Sequence, residues 1–565
     1  MGKAGFTKGT VRYTDGTVAH DVDAFPELTE VTYDGNTVRA YETRSESIDA
    51  LLRAAADEHP DRDFVVYPEV DRRFTYRQFD HRVETISANL RKEGVGSGDR
   101  VGLLVGNRPE FLEVFFACAR LGAVAAPVNT RLAARKSEQV LTDVDPHVVV
   151  AEAEHLSKIR QADVPVSADD LFVYGDTGKA KSAEFRSFDE LRNERVLGDE
   201  PAFDPPAETD AVCLFYTSGT TGRPKGCPVD NFHLTNAAEN YRVSFDLGDG
   251  TGTLVPTPLF HVSGLVGGVI AVLSVAGKAV VIDSFSPKQF LETTERERLN
   301  YILGVPTNYI LTMERESPSE YDLSSLEICA YGSAPMPANM IREIREAFPD
   351  TALCNTYGKT ESVGGLASMC PDVHTDANAD TVGLPTPCME FKIVDEDGDA
   401  LPPGEIGELA FRGPIVVNEY RNRPEKTAVE FSDGWHLTGD LARFDDDGFV
   451  QLKGRHKDLI IRGGENVHPI EIQEVLAAHE DVLDSSVTGF PDEVLGQRIL
   501  AAVVPKPEVR LTEEQLLEHC RSELADYKQP DIFRIMDSLP RNANGKVIKD
   551  ELLPDPLHHG IQAGG

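Results

Sequence analysis

The chain has 565 residues, more than one compact core accommodates, so at least two domains are expected. Hydrophobic residues make up 41%, which excludes disorder of the whole chain. Asp and Glu number 94 against 56 Lys and Arg, a formal net charge of -38, and no basic stripe exists to neutralise nucleic-acid phosphates, so that partner class is excluded.

The acidic excess runs along the whole chain, and only 19 of the cationic residues are Lys. This pattern reads as a surface adapted to concentrated salt, where the screening length falls to about 3 Å at 1 M. Short runs such as Asp445-Asp446-Asp447 read as solvated turns, not as an acidic tail for a basic partner. The eight cysteines form no C-x-x-C pair, so no zinc framework is indicated, and their scatter suits a reducing cytoplasm. The N-terminus lacks an apolar signal segment. The longest apolar run, Val262 to Gly277, has 16 residues with four Gly, short for a transmembrane segment, and reads as buried core.

In chain order, residues 46–59 show helical spacing of apolar residues, and FVVYPEV after them reads as a strand. From residue 99 the pattern alternates: RVGLLVG as a strand, a turn at Asn107-Arg108-Pro109, and a helix over EFLEVFFACARLGA. HVVVAEA, AVCLFYT, GKAVVID, YILGVP and SLEICAYG continue as strands with helices between them, predicting largely parallel sheets. Between 380 and 453 short strands are broken by Gly, Pro and Asp, a β-rich texture. Beyond 458 a helix over Pro469 to His479, strands DSSVTGF and ILAAVVP, and a helix over LTEEQLLEHCRSELA make a compact unit. The expected fold class is α/β. A large N-terminal domain of layered α/β sheets spans 1–454, with a β-rich subdomain at 380–453. A hinge at 455–458 leads to a small mobile α/β C-terminal domain at 459–565.

The segment from Tyr216 to Gly226, YTSGTTGRPKG, follows a buried strand. Its hydroxyls, small residues and single lysine suit a loop whose backbone N–H groups face phosphate oxygens, with Lys225 adding a charged contact; a flexible surface turn has the same composition. It is not a Walker A loop, because no Ser or Thr follows Lys225. This segment closely resembles the signature loop of the AMP-forming adenylating superfamily, which includes acyl-CoA synthetases, peptide-synthetase adenylation domains and luciferases. Further motifs follow in family order over roughly residues 50 to 550: YGSAPM from Tyr331, NTYGKTE from Asn355, GWHLTGD from Gly434, GRHKD from Gly454, IRGGENV from Ile461 and LPRNANGK from Leu539. With the charge pattern, the resemblance suggests a halophilic archaeon as the source.

The resemblance implies a nucleotide site built from Thr217, Ser218, Gly219, Thr220, Thr221, Gly222 and Lys225, from Gly332, Ser333, Ala334 and Pro335, and from Asn355, Thr356, Tyr357 and Gly358. Tyr357 would stack on adenine, Thr360 would contact the α-phosphate, and Glu361 would ligate Mg2+. Asp440 would grip both ribose hydroxyls, and Arg455 would reach ribose or phosphate. Lys457 would be the hinge pivot, Gly463 and Gly464 would line a CoA tunnel, and Lys546 would be the catalytic lysine bridging carboxylate and α-phosphate. The chain departs from the family at Asn-Ala-Asn before Gly545, and in CPVDNFHL, which lacks the frequent Thr-His pair.

The implied reaction is activation of a carboxylic acid by ATP to an acyl-adenylate and pyrophosphate, then transfer to CoA with release of AMP. Nineteen residues follow Lys546, so no downstream carrier domain is expected. The stretch Pro258 to Leu265 has no acid to hold an α-amino group, so a plain organic acid is expected. His261 would lie at the mouth of an acyl pocket lined by Val305, Pro306, Thr307, Val363, Gly364 and Gly365, or would be a packed structural histidine. A medium or long fatty acid leads, with a benzoate- or cinnamate-type acid behind it. An adenylating enzyme with another acceptor, a non-catalytic regulator and a luciferase-like use are the alternatives. The expected state is a cytoplasmic monomer or homodimer without a transmembrane segment.

Overall fold

The computed structural model describes residues 11–14, 16–21, 24–25, 27–161, 166–177, 184–194, 204–217, 224–373, 378, 381–463, 465–492, 494–541 and 547–553. Two large sheets dominate. One has seven strands in the order Arg186–Ser187, Leu171–Tyr174, Val148–Glu152, Arg100–Leu104, Val124–Pro127, Ala211–Thr217 and Lys225–Asp230. All its neighbours are parallel except the last pair. The other has nine strands, parallel from Asp63–Tyr67 through Lys278–Val281, Gly252–Val255, Tyr301–Gly304 and Ile328–Gly332 to Ala352–Tyr357, with antiparallel strands at both ends.

Residues from both sheets share one hydrophobic core. The helix Pro109–Leu121 lies in it, buried from Pro109 to Arg120. Pro109 opens this helix where its missing N–H costs nothing, and Gly122 closes it at φ 66°. Arg120 can be buried because Asp49, at 2.7 Å, and Asp80 accept from its guanidinium. The expected strand FVVYPEV stops at Tyr67, and Pro68–Val70 turns as a 3-10 helix, since proline cannot donate to the ladder.

The apolar run from Val262 is buried, as expected, and is helical with a π-helical middle at Leu265–Ile270. A Cβ on Gly267 would stand 2.5 Å from Leu303 Cδ2, and one on Gly268 2.8 Å from Val255 Cγ2, so these glycines let the segment press onto its neighbours. Among the described residues no helix is long and apolar enough to cross a membrane.

A third sheet of seven strands holds Glu390–Val394, Gly407–Arg412, Trp435–Phe444 and Val450–Arg455. It also takes Val11–Thr14 and Thr17–His20, the latter paired with Glu390–Val394, so this β-rich layer draws strands from outside 380–453. The hairpin Leu28–Tyr33 and Asn36–Tyr41 packs on the helix Asn231–Ser244, where Tyr33 stacks on Phe232 at 4.1 Å and donates its hydroxyl to Asp230.

The last unit is a five-stranded sheet around Gly496–Pro505 and Val482–Asp492, with helices Pro469–Ala477 and Glu513–Glu523. Ile499, Ala501 and Val503 face a core with Ile472, Leu476 and Leu516, while Leu500, Ala502 and Val504 face a second cluster with Leu539 and Leu552. Period-two alternation thus covers both faces of one strand. The architecture is a large N-terminal α/β domain and a small C-terminal domain, as the sequence predicts.

Candidate active site

The antiparallel pair Ala211–Thr217 and Lys225–Asp230 forms a hairpin with Thr217 opposite Lys225. Ser218, Gly219, Thr220, Thr221 and Gly222 at its tip lie outside the described residues. The Thr217 hydroxyl is buried with no hydrogen-bond partner among the described residues. Beyond the hairpin, Asp230 caps the helix Asn231–Ser244, accepting from the His233 N–H at 2.9 Å. That cap anchors one arm of the hairpin to buried structure.

Lys225 reaches three groups. Its ammonium lies 2.9 Å from Glu430 Oε2, 3.9 Å from Glu361 Oε1 and 4.0 Å from the centroid of the Tyr420 ring. The Tyr420 hydroxyl is 2.7 Å from Glu361 Oε1 and 2.5 Å from Glu430 Oε2. Burial favours the neutral Glu361 carboxyl, but the Lys359 charge and the hydrogen bond from the Tyr420 hydroxyl oppose it and hold its pKa below the usual range. Glu430 likewise resists the effect of burial, and its hydrogen bonds from Lys426, Tyr420 and Lys225 bring it down to about 2. Both carboxylates are therefore ionised around one lysine.

The parallel strands Ile328–Gly332 and Ala352–Tyr357 end side by side, with Gly332 opposite Thr356. A Cβ at Gly332 would stand 2.4 Å from Thr356 Oγ1, so glycine permits this approach. Thr356 donates to the Tyr331 carbonyl at 3.0 Å, and Asn355 to the Thr381 carbonyl at 2.8 Å. Asn355 and Thr356 are thus tied into the scaffold. Ser333, Ala334 and Pro335 continue beyond the strand end, with Ser333 at φ 70°. Thr360 and Glu361 begin a 3-10 turn after Gly358.

Tyr357 donates its hydroxyl to Asp440 Oδ2 at 2.6 Å, and Arg455 Nε donates to Oδ1 at 2.9 Å. Asp440 and Arg455 face each other across the strands Trp435–Phe444 and Val450–Arg455. The Lys359 ammonium donates to the Thr438 carbonyl on the same strand. His436 is fully buried against Phe431 and Phe411, with Nδ1 3.2 Å from the Glu430 carbonyl. Burial, with Lys359 nearby, pushes its pKa down to about 4.

His261 precedes the short helix Val262–Gly264. Val305 caps the helix Pro306–Arg315, so Val305, Pro306 and Thr307 share one turn. Val363 and Gly364 are buried, and Gly364 at φ 99° gives its carbonyl to the Tyr241 hydroxyl. A Cβ there would lie 3.0 Å from Val266 and 3.2 Å from Tyr241. Tyr241 stacks on Phe245 at 5.9 Å between centroids, and Phe245 meets Tyr301 at a tilt, 5.1 Å away. Gly365 stands at φ 71°. A cavity of about 290 Å³ lies between the Asn36–Tyr41 hairpin and Glu390 and Arg412, lined by none of the expected site residues.

His456–Asp458 forms a 3-10 turn, with Asp458 paired to Lys549 at 2.9 Å. Burial and the Arg455 charge lower the Lys457 pKa. Gly463 has φ 61° and its N–H donates to the Leu495 carbonyl at 2.8 Å. Gly464 and Lys546 lie outside the described residues.

Tyr420, Glu430, Lys359, His436 and Tyr241 were missed by the sequence reading. Tyr420 and Glu430 lie within EYRNRPEKTAVE, and no spacing rule links that stretch to Lys225.

The model of the AMP-binding enzyme family matches residues 52–421, and that of the AMP-binding enzyme C-terminal domain matches residues 471–546. A feruloyl-CoA synthase from Amycolatopsis sp is 34% identical over 479 residues, covering 85% of this chain and 93% of that protein. A long-chain-fatty-acid–CoA ligase of Mycobacterium tuberculosis is 34% identical over 513 residues, covering 89% and 97%. The crystal structure of an anthranilate CoA ligase in complex with anthranoyl-AMP superposes with a TM-score of 0.81 at 27% identity, covering 90% of this chain and 96% of that one.

Proposed function

The chain belongs to the AMP-binding enzyme family, and we propose on that premise that it is an AMP-forming acid–CoA ligase. It joins a carboxylic acid to CoA at the cost of ATP, giving AMP and pyrophosphate. The observation that carries this is one cluster: Lys225 beside ionised Glu361, and Asp440 held between Tyr357 and Arg455.

A carboxylate is a weak electrophile, so its oxygen first attacks the α-phosphorus of ATP and pyrophosphate leaves. Lys225, and Lys546 from the C-terminal domain, offset the negative charge that develops. Thr360 meets the α-phosphate, Tyr357 faces the adenine, and the Asp440 carboxylate accepts from the two ribose hydroxyls. Mg2+ fits Glu361, whose buried, ionised carboxylate is a hard oxygen donor, and when bound it would neutralise triphosphate charge. In the second half, the thiol sulfur of CoA attacks the acyl carbon of the mixed anhydride and AMP leaves. Movement of the C-terminal domain about Lys457 would bring Gly463 and Gly464 to that thiol. The Thr217 hydroxyl, buried without a partner among the described residues, suits a donor held for a phosphate oxygen.

The acid lacks an α-amino group, since Pro258 to Leu265 offers no carboxylate to hold one. The sequence reading leads with a medium or long fatty acid. The names of the relatives favour the second choice, an aryl acid. A feruloyl-CoA synthase and an anthranilate CoA ligase are named for acids with an aromatic ring, while the long-chain-fatty-acid–CoA ligase matches at the same 34% identity as the former. The acidic excess supports a halophilic setting and the eight free, buried cysteines a cytoplasmic one, and a monomer or homodimer completes the reading. Specificity constants for a cinnamate series against C8–C16 fatty acids, in dilute buffer and in molar KCl, test it. A preference for chain length, or full activity at low salt, overturns the corresponding part.

A further inference from the structure

The Tyr420 hydroxyl has one proton, yet carboxylate oxygens of Glu361 and Glu430 stand 2.7 and 2.5 Å from it. Two ionised carboxylates crowd one phenol only where cations sit beside them. Here Lys225 is 2.9 Å from Glu430 Oε2, and Lys426 is 2.7 Å from Oε1. The segment carrying these groups is tied to the hairpin, because the Arg421 N–H donates to the Gly226 carbonyl at 2.9 Å. Glu430 also closes the helix Pro424–Glu430, and its carbonyl meets His436 on the strand of Asp440. Glu430 thus touches the ribose strand through its backbone carbonyl and the lysine of the phosphate hairpin through its side chain.

The geometry points to Glu430 as a positioning residue that holds Lys225 and competes with the triphosphate for its ammonium, so that it sets ATP affinity and not the rate of adenylation. This rests on the ATP-dependent reading above. A phosphate oxygen that takes Lys225 meets the Glu430 charge beside it, and that like-charge contact weakens binding of ATP without touching the reacting carboxylate. Glu361 does not share the role, since its nearer oxygen is 3.9 Å from Lys225 and its own partner is Tyr420.

ATP–pyrophosphate exchange at varied MgATP, with wild type, Glu430→Gln and Glu430→Ala, tests the assignment. Glu430→Gln is expected to lower the KM for ATP about three- to fivefold, the size of a half-screened charge contact, with kcat within about twofold. The gap narrows in molar KCl. Trp435 is the only tryptophan and lies on the Asp440 strand, so its fluorescence on titration with ATP gives the same ordering as a binding constant. If Glu430→Gln does not fold, Glu430→Asp moves KM in the same direction by less. An unchanged or raised KM, or an equal loss in kcat, overturns the role. Absence of both exchange and a Trp435 response in wild type sinks the ATP reading itself, whereas exchange with the wrong KM order sinks only Glu430.

Discussion

Replacing Asp440 by Asn keeps the shape of the side chain and removes its charge. Asp440 is 5% exposed and accepts two short bonds, 2.6 Å from Tyr357 and 2.9 Å from Arg455. A bond to a charged acceptor contributes about 1.5–3 kcal/mol, against about 0.5–1.5 for a neutral one, so two bonds would lose about 2 kcal/mol. The Arg455 side chain is 37% exposed and water screens its share, which brings the estimate to about 1–2 kcal/mol. Arg455 has no acceptor to offer, so the new amide must keep its oxygen there and turn its N–H toward Tyr357, whose own proton then needs another partner. Asp440→Asn is expected to melt about 2–6 °C lower. Its KM for ATP should rise about ten- to a hundredfold, because one carboxylate no longer takes both ribose hydroxyls. Differential scanning fluorimetry and pyrophosphate exchange read both. Unchanged melting with unchanged KM would refute the reasoning, and a loss confined to kcat would remove Asp440 from ribose binding.

Gly364→Ala puts a methyl 3.0 Å from Val266 on a left-handed backbone, and should cost about 1–3 kcal/mol by chemical denaturation while lowering kcat/KM for bulkier acids more than for small ones. His436, buried neutral with its pKa near 4, binds its proton more readily in the unfolded chain, at about 6.5. Its contribution is therefore complete above pH 6.5 and is lost as pH falls toward 4, about 3 kcal/mol in all, and His436→Phe should flatten the acid limb of melting temperature against pH. An unaltered acid limb would assign that loss to other groups. Lys546→Ala should abolish adenylation while thioester formation from supplied acyl-adenylate largely survives; equal loss of both half-reactions would contradict its role.

The alternation of strands and helices was legible because it depends on local periodicity. The Pro109 helix start and the buried run from Val262 could be read directly, and the order of motifs carried the family. The π-helical form of Leu265–Ile270 could not be read, and its glycines lie against Leu303, Tyr241 and Val255, which come from distant segments. The strand Thr17–His20 was missed for a related reason, since its partner Glu390–Val394 lies at the other end of the sequence. Within the site, Asp440 and Arg455 came from motifs, but their shared bond reflects register between two strands. Glu430 had no signal, being an ordinary acid in a polar helix until the fold brings it to Lys225.

The central claim is that ATP activates the acid before CoA takes it. The direct measurement is radiolabelled pyrophosphate exchange into ATP across a panel of aryl, fatty and amino acids, with CoA omitted and then added. Exchange without CoA that depends on an acid lacking an α-amino group is expected, with thioester only when CoA is present. Exchange supported only by amino acids, or none until CoA is added, would contradict it.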